Sequence, residues 1–331
     1  MISVTVLYCP DGSISSSIAP LEVFYAAGLK WNPCISPNPV PRFSIRTVSV
    51  DGGPVTGAAG VRVIPDGSIA AIERTDLVII PSAGPDADVV VEKNAAVIPW
   101  LRALHAKGAM IAGVCTGVAI LAEAGLLDGR RATTHWAVAD AYRRRYPNVD
   151  WQPDLCVTED RGVVCGGGVY ASIDLALYMV EKLCGRDVAL GCAKSLVVQM
   201  PRTCQTGFAI LPSGRDHMDV AIRKIEDWLH NHYPDDIDLD RVAEEFALTP
   251  RTFLRRFKAA TGETPLAYLQ RLRIDAAKRM LEDDRMTIQD VSLAVGYEDV
   301  AFFRDLFKRH AGLTPGAYRE RFGRTARPSA A

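Results

Sequence analysis

Hydrophobic and polar positions are arranged in two different ways along the chain, and the change falls near residue 200. Before that point, short and nearly continuous apolar runs alternate with stretches of helical periodicity. Such runs are typical of parallel strands that are covered on both faces. The predicted strands are 3–8, 43–50, 76–81, 110–114 and 163–165, and the predicted helices are 21–29, 95–107, 118–124 and 171–183. Residues 1–200 are therefore predicted to form an α/β domain with a parallel sheet and helices on both faces.

The remainder of the chain has no convincing strand pattern. Apolar residues between 218 and 321 recur at helical spacing, which predicts an all-α domain. Residues 201–217 contain two prolines and two glycines without clear periodicity, and they are predicted to form a linker. We expect residues 322–331 to be a disordered tail.

The all-α half contains the same pattern twice. The run Gly262-Glu263-Thr264-Pro265-Leu266-Ala267-Tyr268 returns 50 residues later as Gly312-Leu313-Thr314-Pro315-Gly316-Ala317-Tyr318. Upstream of both runs, a first helix is indicated by mostly apolar residues at i, i+3, i+4 and i+7. In the first copy Thr249 before Pro250 is the N-cap signal of the second helix, and in the second copy Thr287 with Asp290 is the N-cap signal of the first helix. Each copy is predicted to be a helix-turn-helix, at about 238–258 and 287–309.

The second helix of each copy carries a basic face opposite a pair of phenylalanines. A short helix with this division fits the major groove of DNA, where phosphates attract the cations and arginine can read guanine. The alternative is a solvated basic face on an ordinary bundle, and two matched copies favour DNA binding. The candidate DNA-binding residues are Arg251, Thr252, Arg255, Arg256 and Lys258 in the first copy and Arg304 and Lys308 in the second.

The duplicated pattern resembles the DNA-binding domain of AraC/XylS-type regulators over about residues 218–321. The resemblance implies that one long helix, about 265–281, joins the two copies and that the recognition helices enter successive major grooves. It also implies base contacts for Arg251 and Arg255. The family usually has a basic residue at position 305, where this chain has Asp305, and the neighbouring Arg304 is the candidate substitute.

A cysteine lies in a glycine-rich turn of the α/β half. Gly113-Val114-Cys115-Thr116-Gly117 follows an apolar strand and precedes a helix, which makes it the thiol analogue of a nucleophile elbow. The helix N-terminus is expected to lower the pKa of Cys115 and to aim amide groups at an anion. His135 lies 20 residues later and is a candidate base.

The α/β half resembles the ThiJ/PfpI, class I glutamine-amidotransferase-like proteins, which implies a flavodoxin-like fold over about residues 2–198. The resemblance is carried by 19–24, 112–117 and 125–136. In enzymatic relatives an acid approaches the cysteine. The matching position here is Ser16, which cannot ionise, and Thr116 stands where protease-like relatives have histidine. We therefore expect no enzyme but an effector pocket, with the candidate residues Cys115, Thr116, Gly117, His135 and Ser16.

Three alternatives stay open for this half. Cys115 could be an inert relic of an enzyme, the nucleophile of a hydrolase, hydratase or amidotransferase, or a redox switch. The order of the two domains resembles the amidotransferase-like branch of AraC-family transcriptional regulators. This implies an activator that binds double-stranded DNA and contacts RNA polymerase, dimerises through its first domain, and responds to a small nitrogenous metabolite.

Composition and charge narrow these expectations. The chain has 331 residues, of which 48% are hydrophobic and 23% charged, and these values exclude disordered, collagen-like and coiled-coil proteins. The net charge of −1 conceals a division, because residues 249–331 carry 16 Lys and Arg against 10 Asp and Glu, a net +6. The rest of the chain has a net charge of −7.

The eight cysteines include no CxxC pair and no Cys/His cluster at zinc spacing, so we expect reduced thiols, no metal site and no cofactor. The longest nearly apolar stretch, 109–122, has 14 residues, whereas a membrane span needs about 20. The start of the chain reads as a buried strand rather than a signal peptide. We expect a cytoplasmic protein without a membrane partner.

Overall fold

The computed structural model describes residues 1–28, 40–200, 202–208, 217–283 and 285–323. The chain divides into two compact units, Met1–Gln205 and Thr206–Ala331, called here the amino-terminal and the carboxy-terminal unit. Their boundary lies within the predicted linker. Cys34 and the linker residues 209–216 lie outside the described residues.

A seven-stranded sheet forms the centre of the amino-terminal unit. The strands are β1 Ile2–Leu7, β2 Phe43–Ser49, β3 Val55–Thr56, β4 Arg62–Val63, β5 Gly67–Ser68, β6 Leu77–Ile80, β7 Met110–Val114, β8 Arg131–Ala132, β9 Asp150–Trp151, β10 Val157–Asp160 and β11 Val163–Gly166. The order in the sheet is β10-β11-β7-β6-β1-β2-β5. All neighbouring strands are parallel except β10, which runs antiparallel to β11 at one edge. Two further pairs, β3 with β4 and β8 with β9, are separate.

Helices cover both faces of this sheet. They are α1 Ser15–Ala26, α2 Ala87–Lys93, α3 Val97–Ala106, α4 Val118–Glu123, α5 Ala139–Arg145, α6 Ala171–Cys184 and α7 Arg186–Ser195. Successive residues of β6 enter two different apolar clusters, Val78 and Ile80 with α3 and α4, Leu77 and Ile79 with α1, α6 and α7. This alternation follows from the pleat of a strand, and it confirms the predicted α/β architecture.

The five predicted strands are all present, but several other elements were not anticipated. Helix α1 begins at Ser15, six residues before the predicted start, because the serines at 15–17 form its first turn. The last residue of that predicted helix, 29, lies outside the described residues. The short helices α2, α5 and α7 and the antiparallel edge strand β10 had no clear signal in the sequence.

The described residues of the carboxy-terminal unit form helices joined by turns, and no strand is present among them. Its helices are α8 Val220–His232, α9 Leu239–Glu245, α10 Pro250–Thr261, α11 Pro265–Asp283, α12 Ile288–Ala294, α13 Val300–Ala311 and α14 Pro315–Phe322. Helices α9 and α10 form the first helix-turn-helix, α12 and α13 form the second, and the 19-residue α11 joins them. Phe322 still belongs to α14 and packs on Tyr318 with ring centroids 4.6 Å apart. The tail predicted from residue 322 therefore begins too early, and residues 324–331 lie outside the described residues.

Each helix-turn-helix has its own apolar core, and α11 supplies side chains to both. Leu269 packs with Phe253 and Phe257 in one cluster, and Ile274 packs with Phe303 and Phe307 in the other. The phenylalanine pairs therefore lie inward, as their i, i+4 spacing predicts. With one face of α10 and of α13 buried in this way, the opposite face is fixed toward the outside.

The two turns reach a left-handed backbone at matching positions. Ala247 has φ of 55° and Gly296 has φ of 86°. A Cβ atom on Gly296 would lie 2.6 Å from the carbonyl oxygen of Pro234, so only glycine fits there. Arg273 holds the turn at Gly296 against the end of α8, because its guanidinium donates to the carbonyl oxygens of Tyr233, Asp235 and Gly296. None of the helices in the described ranges has the length and apolar character that crossing a membrane requires.

Candidate nucleic-acid interface and effector pocket

The first recognition helix, α10, starts with the predicted cap. Thr249 Oγ1 accepts a hydrogen bond from the backbone N–H of Thr252 at 3.3 Å, and Pro250 occupies the first turn. On the outer face, Arg251, Arg255 and Lys258 are exposed. Among the described residues, none of these three side chains forms an ion pair within 4.0 Å, so their charges are available to a ligand.

Arg256 and Thr252 differ from these three residues because protein partners engage both. Arg256 Nη2 and Nε donate to the carboxylate of Asp219 at 2.6 and 3.0 Å, and Asp219 is also the N-cap of α8. The hydrogen bond from Arg256 is the main reason that the pKa of Asp219 lies below its usual value. The Thr252 hydroxyl accepts from Thr249 Oγ1 at 2.9 Å. Sequence reasoning could not separate Arg256 from Arg251 and Arg255, since Asp219 is 37 positions away.

The second recognition helix, α13, is capped by Asp299, whose carboxylate accepts from the N–H groups of Ala301 and Phe302. Arg304 and Lys308, the candidate DNA-binding residues of this helix, are exposed. Asp305 is exposed as well. The Phe302 side chain is 45% exposed, although its ring lies 5.7 Å from that of the buried Tyr297. An exposed phenylalanine on this face had not been singled out from the sequence.

The cysteine turn of the amino-terminal unit has the predicted strand–turn–helix form. Strand β7 ends at Val114, residues Cys115–Gly117 make a tight 3-10 turn, and α4 follows. Cys115 has φ of 56°, a left-handed conformation that is uncommon for a residue with a side chain and typical of functional turns. A Cβ atom on Gly117 would lie 1.9 Å from the carbonyl oxygen of Pro81, so the turn packs against the end of β6 with no room to spare.

A network of hydroxyl groups connects this turn with the start of α1. Thr116 Oγ1 accepts from the N–H of Ala83 at 3.1 Å and lies 3.1 Å from Ser82 Oγ. The N–H of Ser82 donates to Ser16 Oγ at 3.0 Å, and Ser16 Oγ donates to the carbonyl oxygen of Ser13 at 2.6 Å. Ser16 and Thr116 are therefore brought together through Ser82, which sequence reasoning missed. Its signal was a serine directly after a buried strand.

The environment of Cys115 reverses one sequence-based expectation. Burial raises the pKa of its thiol, and the hydrogen bonds with Ser82 and Thr116, which lower the pKa, do not offset this effect. The prediction that the helix N-terminus lowers this pKa is therefore wrong, because the thiol is 4% exposed and a thiolate there loses its hydration.

His135 is held by its own turn. Its Nδ1 accepts a hydrogen bond from the N–H of Ala137 at 3.1 Å, and its ring lies 5.1 Å from that of Trp136. Burial lowers its pKa, which favours the neutral ring. In the part of the chain that is described, no hydrogen bond joins His135 to Cys115. The neighbouring Thr134 makes the connection instead, donating to the carbonyl oxygen of Cys115 at 2.8 Å.

Comparison with known proteins identifies both units. Residues 242–321 match the model of a helix-turn-helix domain, and residues 34–182 match that of the DJ-1/PfpI family. The chain is 29% identical to the HTH-type transcriptional regulator CdhR of Pseudomonas aeruginosa over 91% of this chain and 85% of CdhR. It is 28% identical to the HTH-type transcriptional regulator GlxA of Rhizobium meliloti over 86% of this chain and 87% of GlxA.

The fold of the amino-terminal unit has a solved counterpart in DJ-1beta of Drosophila melanogaster. The TM-score is 0.50 at 21% identity, over 60% of this chain and 98% of the other. This likeness concerns the fold alone. Together with the two regulators, which the chain matches over most of their length, it agrees with the architecture described above. The chain therefore joins an amino-terminal DJ-1/PfpI domain to a carboxy-terminal AraC-type helix-turn-helix domain, and its homologues over most of its length are HTH-type transcriptional regulators.

Proposed function

We propose that the amino-terminal unit binds a small polar effector at the Cys115 turn and that binding changes DNA binding by the carboxy-terminal unit. The effector class is nitrogenous metabolites, such as amino acids or quaternary amines, as the family resemblance implies. The sign of regulation is activation through RNA polymerase, and the chain acts as a cytoplasmic homodimer joined through the amino-terminal unit. The recognition face of α10 consists of Arg251, Arg255 and Lys258, while Arg256 positions the helix.

The observation that carries this proposal is the placement of Gln205, the last residue of the amino-terminal unit. Gln205 is 4% exposed, and its Nε2 donates to the carbonyl oxygen of Thr134 at 2.7 Å. Thr134 in turn donates to the carbonyl oxygen of Cys115. A ligand that shifts the backbone of the Cys115 turn therefore acts on the end of the unit through two hydrogen bonds.

The segment around Gln205 is anchored at both of its ends. Arg202 pairs with the buried carboxylate of Asp174 at 2.6 Å within the amino-terminal unit. Thr206 is the next residue after Gln205 and belongs to the carboxy-terminal unit, where Lys278 Nζ donates to its carbonyl oxygen at 3.0 Å. An effector needs only a different affinity for two arrangements of this segment to shift the equilibrium between them.

The test measures DNA binding and effector binding separately in the full chain. Amino acids and quaternary amines are screened by thermal shift, because a ligand that binds the folded state raises its apparent stability. Each hit is then added to a DNA titration of the wild type, of Gln205→Ala, and of Gln152→Ala as a control. Gln152 is matched because its amide bonds to the nearby Asp150 rather than to the turn.

The expected result is that Gln205→Ala keeps the thermal shift but loses most of the effector's influence on DNA affinity. Gln152→Ala is expected to retain both. If Gln205→Ala responds to the effector as the wild type does, the proposed route is wrong. If no metabolite raises the melting temperature, the proposed effector class is wrong.

The same unit is proposed not to be an enzyme. Ser16 occupies the position of the acid and engages both Ser13 and Ser82, and the pKa of Cys115 is raised by burial. Both features oppose formation of a nucleophilic thiolate at neutral pH. Turnover of amide, ester or isonitrile substrates that disappears in Cys115→Ser would contradict this. A redox switch at Cys115 would instead appear as peroxide-dependent DNA binding that Cys115→Ser abolishes.

A further inference from the structure

The two recognition helices share a scaffold but expose different chemistry. At an offset of 50 residues, the inward positions 253 and 303 are both phenylalanine, as are 257 and 307, and lysine occupies both 258 and 308. The outward positions differ. Arg251 corresponds to Ala301, and Arg255 corresponds to Asp305. Both side chains that suit guanine on α10 are therefore absent from the matching positions of α13.

Arg304 does not restore the missing arginine. It corresponds to Leu254, and adjacent residues on a helix lie about 100° apart around the axis. A side chain at 304 therefore leaves the helix in a different direction from one at 305. The side chains of α13 at the positions that match Arg251, Thr252 and Arg255 of α10 are Ala301, Phe302 and Asp305, all of them exposed.

Phe302 is held in place rather than loosely exposed. One side of its ring packs against Tyr297, and the guanidinium of Arg273 lies 4.9 Å from the Tyr297 ring centre. The other part of the Phe302 side chain, 45% of its surface, remains accessible. The exposed part of the Phe302 ring suits the thymine methyl group, which takes apolar contacts. The Asp305 carboxylate suits the cytosine amino group, which donates a hydrogen bond to carboxylates.

We propose that α10 and α13 read different bases: α10 reads guanine through Arg251 and Arg255, while α13 reads thymine through Phe302 and cytosine through Asp305. Arg304 and Lys308 then serve as phosphate contacts beside this set. The proposal rests on the DNA-binding face assigned above and adds the base classes that each half of that face selects. One chain accordingly contacts a site with two chemically different halves.

The first experiment selects duplexes from a randomised pool with the full chain, at a salt concentration that suppresses non-specific binding. The same selection is run with Arg251→Ala/Arg255→Ala, with Phe302→Ala/Asp305→Ala, and with Leu293→Ala. Leu293 is the matched control, because it is a 52% exposed apolar residue on α12, outside the recognition helix. Circular dichroism and melting temperature verify that each variant is folded.

Each variant is expected to lose a different part of the selected sequence. The arginine pair should lose guanine in one half, and Phe302→Ala/Asp305→Ala should lose thymine and cytosine in the other half, about one helical turn away. Leu293→Ala should select the wild-type sequence. If the arginine pair alters nothing, or if the wild type enriches no sequence, the assigned DNA-binding face is wrong. If the arginine pair loses guanine but Phe302→Ala/Asp305→Ala still selects the wild-type sequence, α13 is a phosphate-binding helix and the present proposal alone is wrong.

A second experiment removes single groups from the DNA. In a series of duplexes, one thymine at a time is replaced by deoxyuridine, which deletes one methyl group. At the thymine that Phe302 reads, we expect the wild type to bind about fourfold more weakly. Phe302→Ala should bind both duplexes equally. In addition, Asp305→Arg places at 305 the residue that position 255 carries, and it is expected to change the preferred base there from cytosine to guanine. A methyl effect of the same size in Phe302→Ala, or an unchanged preference in Asp305→Arg, would overturn the assignment.

Discussion

At the scale of single residues, the backbone geometry of Cys115 is typical of a reactive nucleophile, whereas its burial disfavours the reactive thiolate. Its left-handed φ of 56° and its place before α4 are those of an activated nucleophile. Its burial determines the protonation state, because an ionised thiol at this site would be separated from water. The residue is therefore suited to shaping a turn rather than to attacking a substrate.

This difference predicts the pH dependence of thiol labelling. Because the folded state holds the proton of Cys115 more tightly, alkylation by iodoacetamide should increase only above the ordinary thiol pKa of about 8.5. Peptide mapping by mass spectrometry across pH 6 to 10 measures it, with the guanidinium-unfolded chain as reference. By linkage, the contribution of Cys115 to stability is complete below that pKa and decreases as the pH rises above it. Labelling of the folded chain at lower pH than the unfolded chain would contradict the assignment.

At the scale of elements, the arginines of α10 differ in their partners within the protein. Within the described ranges no ion pair engages Arg251 or Arg255, whereas Arg256 is bound to the cap of α8. Substituting these residues therefore separates two effects, loss of DNA affinity and loss of helix docking.

We expect Arg251→Ala and Arg255→Ala each to weaken binding to the selected duplex by roughly 1–3 kcal/mol, with an unchanged melting temperature. Arg256→Ala should lower the melting temperature, because it leaves Asp219 without its partner, and Asp219→Ala should lower it similarly. Fluorescence anisotropy and thermal unfolding measure the two quantities. A melting temperature unaffected by Arg256→Ala would show that the pair with Asp219 is not structural.

The elements also show what the sequence could predict. Nearly continuous apolar runs located the five strands. The cap signal at Thr249 located the recognition helix α10, and Thr287 with Asp290 located α12, where the structure confirms the capping box. Features that depend on contacts with residues distant in the sequence could not be predicted from the sequence. The role of Arg256 depends on Asp219, the link from Gln205 to the Cys115 turn crosses about 90 residues of sequence, and the pKa of Cys115 depends on burial.

At the scale of the whole molecule, the distribution of charge matters more than its sum. The net −1 combines a basic segment, 249–331, with an acidic remainder. The basic segment contains both recognition helices, so the attraction to DNA is concentrated where reading takes place. The acidic remainder opposes non-specific association of the rest of the chain with the phosphate backbone.

This concentration predicts the salt dependence of DNA binding. Lys258→Ala and Lys308→Ala should each weaken binding uniformly across sequences and reduce the slope of log K against log salt by about 1. Lys93→Ala, in the amino-terminal unit, is the control, because Lys93 pairs with Asp11. Titrations at several salt concentrations measure the slopes. Equal slopes for all three variants and the wild type would mean that the two lysines do not reach phosphates.

The unequal exposed faces of α10 and α13 have a consequence for the gene that carries the binding site. A site whose two halves differ has a direction, so a protomer bound to it points along the DNA one way only. The sequence of such a site is not palindromic, and it can lie in either of two orientations relative to a promoter. Its orientation relative to the promoter determines which side of the protein meets the transcription machinery. Reversing in place the stretch that one protomer contacts should therefore abolish regulation while leaving that protomer's affinity intact, and a reporter gene with the inverted stretch measures this.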